Sequence, residues 1–113
     1  MIDSYSFGSV EIDGRAYTSD VIIYEDRVDS AWWRKEGHSL AAADIREVID
    51  EKPEVLVVGT GVSGVMRVLP ETEKLLKERG VRLVAERTTQ ACTEYNKMVS
   101  EGKSVIAALH LTC

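Results

Sequence analysis

Few of the residues that would announce a function are present in this sequence. Histidine occurs twice (His38, His110) and cysteine twice (Cys92, Cys113), without the clustered spacing of metal ligands, so no structural zinc site is expected. No apolar run approaches the roughly 18 residues of a membrane helix. The start, Met1-Ile2-Asp3-Ser4-Tyr5, lacks the basic and apolar regions of a signal peptide, and a cytoplasmic location is the expectation. Basic residues are outnumbered, giving a net charge of −5. Twelve acidic and six basic side chains fall in residues 1–53, seven and eight in residues 54–113, and no basic stripe emerges. Nucleic-acid binding, which neutralises phosphates with Lys and Arg, is therefore not expected. Asn96 and Gln90 are the only side-chain amides, a scarcity found in thermophilic sequences.

What remains is the composition of one folded domain. The chain has 113 residues, of which 44% are hydrophobic and 29% charged, enough for one core and too little for two. The first forty residues read as β-structure. Ser9-Val10-Glu11-Ile12 alternates, Asp13-Gly14 signals a hairpin turn, and Asp20-Val21-Ile22-Ile23-Tyr24 is a stronger strand turning into Val28 through Trp33. Adjacent tryptophans on a strand face opposite ways. One of Trp32 and Trp33 then packs in the core, and the other needs a second layer, a partner or a cleft.

A helix is expected over roughly 41–51, with Ile45, Val48 and Ile49 as its apolar stripe, Ser39 as the nearby cap residue and Pro53 as its stop. Val55 to Val58 reads as a strand buried on both faces. A helix from Pro70 to Gly80 and a strand at Val81–Ala85 complete a right-handed βαβ unit. A last helix, roughly 89–101, buries Ala91, Tyr95, Met98 and Val99, and a final strand spans Ser104–Leu109. The expected architecture is a single domain, residues 1–113, with antiparallel β-hairpins in the N-terminal half and an α/β C-terminal half.

Gly59, Gly61 and Gly64 follow the buried strand with the G-x-G-x-x-G spacing of dinucleotide sites. Such a site needs a helix opening at the third glycine. Here Val65 to Leu69 intervene before Pro70, so a classical dinucleotide site is not expected, nor any other cofactor. Two readings stand. In one the glycines only turn the chain. In the other the loop, at the carboxyl end of a central strand, holds a small anion with exposed N–H groups and Arg67. The helix start at Thr88 lies beside it in this scheme, giving a candidate ligand set of Gly59, Thr60, Gly61, Arg67, Thr88, Cys92 and Asn96. Cys92 is either a core residue or a thiol activated by the helix N-terminus, and a Cys92–His38 pair is conceivable. Asn96, inside a helix, needs a bonding partner. No complete catalytic constellation is present, and no catalytic residue is assigned.

The chain resembles a family of small archaeal and bacterial proteins of largely unassigned function. Its eukaryotic relatives are an adipogenesis-associated cytosolic protein and a mitochondrial assembly factor for respiratory complex I. The resemblance rests on Phe7-Gly8, Asp13-Gly14, Tyr17, Asp20-Val21, Trp33, Gly37-His38, Pro53 through Gly61, Thr88, Ala91-Cys92, Tyr95-Asn96 and Glu101-Gly102. It implies a three-layer α/β fold with a mixed central sheet and no established catalytic residues. Lys103 stands where relatives commonly carry Arg. No mitochondrial presequence is visible, so the organelle role is not expected to transfer. The expected function is a non-enzymatic protein-binding or assembly module with an unidentified protein partner and Trp32, Trp33 and His38 as its candidate surface. The alternative is a small-molecule or anion site between the Gly59–Gly64 loop and the Thr88–Asn96 helix start. Oligomeric state stays open.

Overall fold

The central sheet owes its form to strands that are apolar at every position but the last of the two longest. In the computed structural model, which describes residues 1–113, β4 (Val21–Ile23), β7 (Val55–Thr60) and β10 (Val105–His110) form its middle. Before them in the chain come β1 (Ile2–Ser6), β2 (Ser9–Ile12) and β3 (Arg15–Tyr17), a separate antiparallel sheet. The remaining strands are β5 (Val28–Asp29), β6 (Ser39–Leu40), β8 (Arg67–Val68) and β9 (Arg82–Glu86). A 3-10 turn, Ala42–Ile45, leads into α1 (Arg46–Glu51); α2 is Pro70–Glu78 and α3 is Thr88–Ser100. The five-stranded sheet has the order β5-β4-β10-β7-β9, with β10, β7 and β9 parallel and β4 antiparallel to β10.

Strand alternation divides the core in two. Val21, Ile23, Val55, Val57, Val105, Ala107 and Leu109 face Ala91, Cys92, Tyr95 and Met98 of α3, with Ile2, Val10 and Ile12 of the small sheet. Ile22, Leu56, Val58, Ile106 and Ala108 face the opposite way, onto Val48 and Ile49 of α1, Leu76 of α2, and Trp32, Leu40 and Met66. Three layers result. The β7–α2–β9 connection steps outward and β9–α3–β10 steps back over β7. Right-handed crossovers in opposite directions place their helices on opposite faces, as α2 and α3 are.

The Asp13-Gly14 turn has positive φ at both residues (49° and 82°) and closes β2 onto β3 as expected of a two-residue hairpin. Pro70 opens α2 as its first residue. Three expectations are corrected. The strand expected to run from Val28 to Trp33 stops at Asp29, because Asp29 turns its carboxylate onto the Ala31 N–H (3.0 Å). Ser39 is not the cap of the 41–51 helix; it pairs in β6, and the Asp44 carboxylate accepts the Ala41 N–H instead (2.9 Å). That helix also begins as a 3-10 turn and becomes α-helical only at Arg46.

Asn96 explains its own place in a helix. Its Oδ1 accepts the Ile2 N–H (2.8 Å) and its Nδ2 donates to the Ile2 carbonyl (2.7 Å), clipping β1 onto α3. Asn96→Ala leaves both backbone groups unpaired, an expected loss of about 1–3 kcal/mol. Urea unfolding of the two proteins checks it; a difference below about 0.5 kcal/mol would show that the clip contributes nothing.

Candidate functional site

Of the polar side chains the sequence singled out, Thr60 and Thr88 meet at the carboxyl ends of the central strands. Buried Thr88, the first residue of α3, holds these strand ends together. Its hydroxyl donates to the His110 carbonyl (2.6 Å) and accepts the Gly61 N–H (2.8 Å). The glycines make room for this contact. A Cβ on Gly59 would lie 2.9 Å from Thr88 Oγ1 and 3.0 Å from a Leu109 methyl. A Cβ on Gly61, where φ is 105°, would lie 2.1 Å from the Cys113 carbonyl carbon. Thr60 adds a hydroxyl bond to the Glu86 carbonyl (3.0 Å).

Most of the loop's donors are consumed within the chain, the Ser63 N–H being the exception. Val62 N–H bonds Thr112 O, Gly64 N–H bonds Gly61 O, Val65 N–H bonds Cys113 O and Met66 N–H bonds Thr60 O. The anion-holding reading presumed that these N–H groups were free. Two of them instead stitch Thr112 and Cys113 to the loop and two close it on itself, and the late helix start at Pro70 leaves them no helix N-terminus to join. Arg67 is exposed on β8, where its backbone N–H bonds His38 O. None of Gly59, Thr60, Gly61, Arg67 or Thr88 borders a cavity.

Cys92 and Asn96 do border one, a cleft of about 210 Å³ shared with Ile2, Tyr5 and Thr89. That is below the roughly 300–1,000 Å³ of ordinary ligand pockets. Cys92 is 7% exposed, and burial pushes its thiol up to about 11, against the activation that a helix start would supply. The conceivable Cys92–His38 pair is not formed. Cys92 packs on the α3 side of the sheet, whereas the His38 ring meets His110 edge-on (centroids 5.9 Å apart) on the other side. Iodoacetamide at neutral pH is expected to label exposed Cys113 and to reach Cys92 only on unfolding. Mass spectrometry of the native protein decides it, and rapid labelling of Cys92 would contradict its burial.

The strongest electrostatic feature went unread in the sequence. Arg34, 8% exposed, sits beneath the surface with its Nη1 2.9 Å from Asp20 Oδ2 and its Nη2 donating to Gly37 O (2.8 Å). His110 Nδ1 is 2.8 Å from the same Asp20 oxygen. A carboxylate only accepts, so Nδ1 carries the hydrogen. Asp20 Oδ1 accepts the Leu111 N–H (2.8 Å). Burial pushes the Asp20 carboxyl up, but the hydrogen bonds from His110 and the Leu111 N–H and the Arg34 guanidinium outweigh it and hold it below its ordinary 3.8. His110 Nε2 and Arg34 Nε are buried without hydrogen-bond partners, and no cavity reaches them. The available signal was His110 itself: a polar residue closing a fully buried strand needs a partner.

Because the folded carboxyl is held low, its contribution to stability is present above 3.8 and lost as pH falls through the lowered folded value. Asp20→Asn is expected to cost about 2–4 kcal/mol at pH 7, by leaving Arg34 without its counter-charge. The gap to the native protein should close as pH drops below 3.8. Chemical denaturation at several pH values tests this, and a gap unchanged by pH would count against the ion pair.

The tryptophans divide as one in, one out. Trp32 is 8% exposed, donates its Nε1–H to Asp44 O (3.1 Å) and lies beneath the Arg34 guanidinium (4.6 Å to the ring centroid). Trp33 is 76% exposed. The second structural layer considered for it does not exist, and both residues lie in an irregular segment rather than a strand. They border a shallow cleft of about 230 Å³ with Ile22, Asp29, Arg46 and Glu47. No group of three or more His, Cys, Asp or Glu side chains is arranged to hold a metal ion. No helix is long and apolar enough to cross a membrane.

Known proteins place this geometry. The fold matches the crystal structure of the conserved hypothetical protein PH1505 from Pyrococcus horikoshii with a TM-score of 0.85 at 27% identity, covering 100% of this chain and 99% of that one. In sequence the chain is 34% identical over 71 residues to NADH dehydrogenase [ubiquinone] 1 alpha subcomplex assembly factor 3 of Xenopus tropicalis, 63% of this chain and 38% of that protein. The mouse protein of the same name is 28% identical over 115 residues, 96% of this chain and 58% of its own length. The chain thus spans roughly two fifths to three fifths of the curated relatives it matches. The match expected to a complex I assembly factor is present. A family model described as "Protein of unknown function (DUF498/DUF598)" covers residues 2–110, nearly the whole fold, and this chain belongs to that family.

Proposed function

We propose that this domain is a non-enzymatic protein-binding module that acts in assembly, with Trp33 as the anchor of its binding surface. The observation that carries the reading is an indole 76% exposed on a segment that is otherwise pinned. Trp32 before it and Arg34 after it are both buried and bonded, and the Asp29 carboxylate holds the Ala31 N–H. An aromatic side chain presented on a fixed backbone loses little entropy on docking, the property of interface hot spots. The partner chemistry it fits is an apolar pocket sized for an indole. We include exposed His38, five residues after Trp33, in this candidate surface.

A second exposed apolar group supports the same reading. Phe7, Val62 and Val65 are exposed, and backbone bonds from Gly8, Val62 and Val65 to residues 111–113 hold them around one short tail. The relatives named as assembly factors favour assembly over catalysis, and the consumed N–H groups of the glycine loop favour binding over a ligand site. Two unpaired cysteines suit a reducing compartment, so we assign the domain to the cytoplasm.

Immobilised native chain is expected to retain a specific protein from extracts of the source cell, and Trp33→Ala to retain at least tenfold less, a loss of about 1.4 kcal/mol or more. Unfolding of Trp33→Ala should stay within about 0.5 kcal/mol of native, since the side chain covers no core. Equal retention by both proteins, or no partner across repeated captures, would overturn the reading.

A further inference from the structure

The central sheet ends on one side at β9, and no element pairs with its outer edge. Arg82 donates its N–H to Glu54 O, and the Glu86 carbonyl accepts from Thr60, so the backbone of Arg82, Val84 and Glu86 faces β7. Alternation then turns the N–H and C=O groups of Leu83 and Ala85 to the open side. Sheet proteins usually blunt such an edge with proline, a bulge, lysine or a covering segment. β9 has no proline and no register shift against β7, and it carries half-buried Leu83 and Val84 with exposed Ala85. An unblunted edge is a template for another strand.

The identity of that strand is written in the charges. Arg82-Leu83-Val84-Ala85-Glu86 has a cation at one end, an anion at the other and apolar residues between. Neither charged side chain has an ion-pair partner within the chain. In an antiparallel pair, residues whose backbone faces outward must oppose each other. A two-fold axis at Val84 meets that condition. Leu83 opposes Ala85 of the second copy, twice, each pair exchanging both its N–H···O bonds. Arg82 opposes Glu86 of the second copy, also twice, in the closely spaced non-hydrogen-bonded positions where cross-strand side chains interact most. Moving the axis to Leu83 or Ala85 sets Arg82 against Val84 or Thr88 and loses both ion pairs. One register satisfies everything.

We infer that β9 is a homodimer interface, in which two copies join edge to edge about a two-fold axis at Val84 and double the five-stranded sheet. A groove of about 610 Å³ between α2 and β9, lined by Leu76, Val81, Leu83, Glu73 and Lys77, runs beside this edge and faces its own copy across the axis. The surface is remote from Trp33, which borders β4 and β5 at the opposite side of the sheet. The dimer therefore stands or falls apart from the assembly reading.

Sedimentation equilibrium of the full chain over a concentration series is the test. The mass is expected to rise from 12.5 kDa toward twice that value. Ala85→Pro removes one outward N–H without touching the ladder to β7 and should hold the chain monomeric. Arg82→Glu and Glu86→Arg, both at exposed positions, should each weaken the dimer roughly tenfold by setting like charges opposite one another. The double exchange restores the pairing and should recover the native constant to within about threefold. A monomer at every concentration would overturn the inference and leave the edge to a strand of another protein. So would a dimer indifferent to Ala85→Pro, or charge exchanges that do not compensate.

Discussion

One carboxylate ties together the parts of this fold that are farthest apart in the chain. Asp20 stands just before β4 and receives Arg34 from the irregular segment, and His110 and the Leu111 N–H from the end of β10. Without it, a guanidinium 8% exposed would face the core with no counter-charge, a cost that hydrophobic packing nearby cannot offset. The segment carrying Trp32 and Trp33 is anchored to the sheet through this ion pair. The orientation of the exposed indole, and with it the proposed binding surface, follows from a charge placed 13 residues upstream of it in a different element.

The same end of the sheet shows how a cofactor-like motif comes to serve packing. Gly59 and Gly61 are required by proximity: a side chain at either would collide with Thr88 or the Cys113 backbone. The Gly61, Val62 and Val65 N–H groups are taken by a threonine hydroxyl and by the carbonyls of Thr112 and Cys113. Since Thr88 bridges the loop and β10, α3 begins where that bond requires, and its cysteine is carried into the core instead of toward solvent. Packing, backbone bonding and the burial of Cys92 have one cause.

What the molecule offers to partners lies outside this joint. An indole and a small apolar cluster are displayed from pinned backbone, and a strand edge is left unblunted on the opposite side of the sheet. These are surfaces rather than cavities. Each exposed group has anchored neighbours: buried Trp32 and Arg34 flank the indole, and backbone bonds to residues 111–113 hold the apolar cluster.

The sequence by itself determined the β-rich first half and α/β second half, the Asp13-Gly14 hairpin, the start of α2 at Pro70 and the burial of Val55 to Val58, all of which follow from local periodicity and turn chemistry; the three layers were implied by the family resemblance. The sequence also implied that the two tryptophans would face opposite ways, one of them needing a second layer, a partner or a cleft, though by a strand that the Asp29 turn ends early. Only the tertiary structure decided which indole that was, that the glycine loop's N–H groups were already spent, and that Asp20, Arg34 and His110 meet. The physical reason is range. Alternation and capping act over a few residues and are legible in order along the chain. The ion pair and the long-range hydrogen bonds at the sheet's carboxyl end join residues 14 to 91 positions apart, and nothing in the order of the chain records which of them will touch.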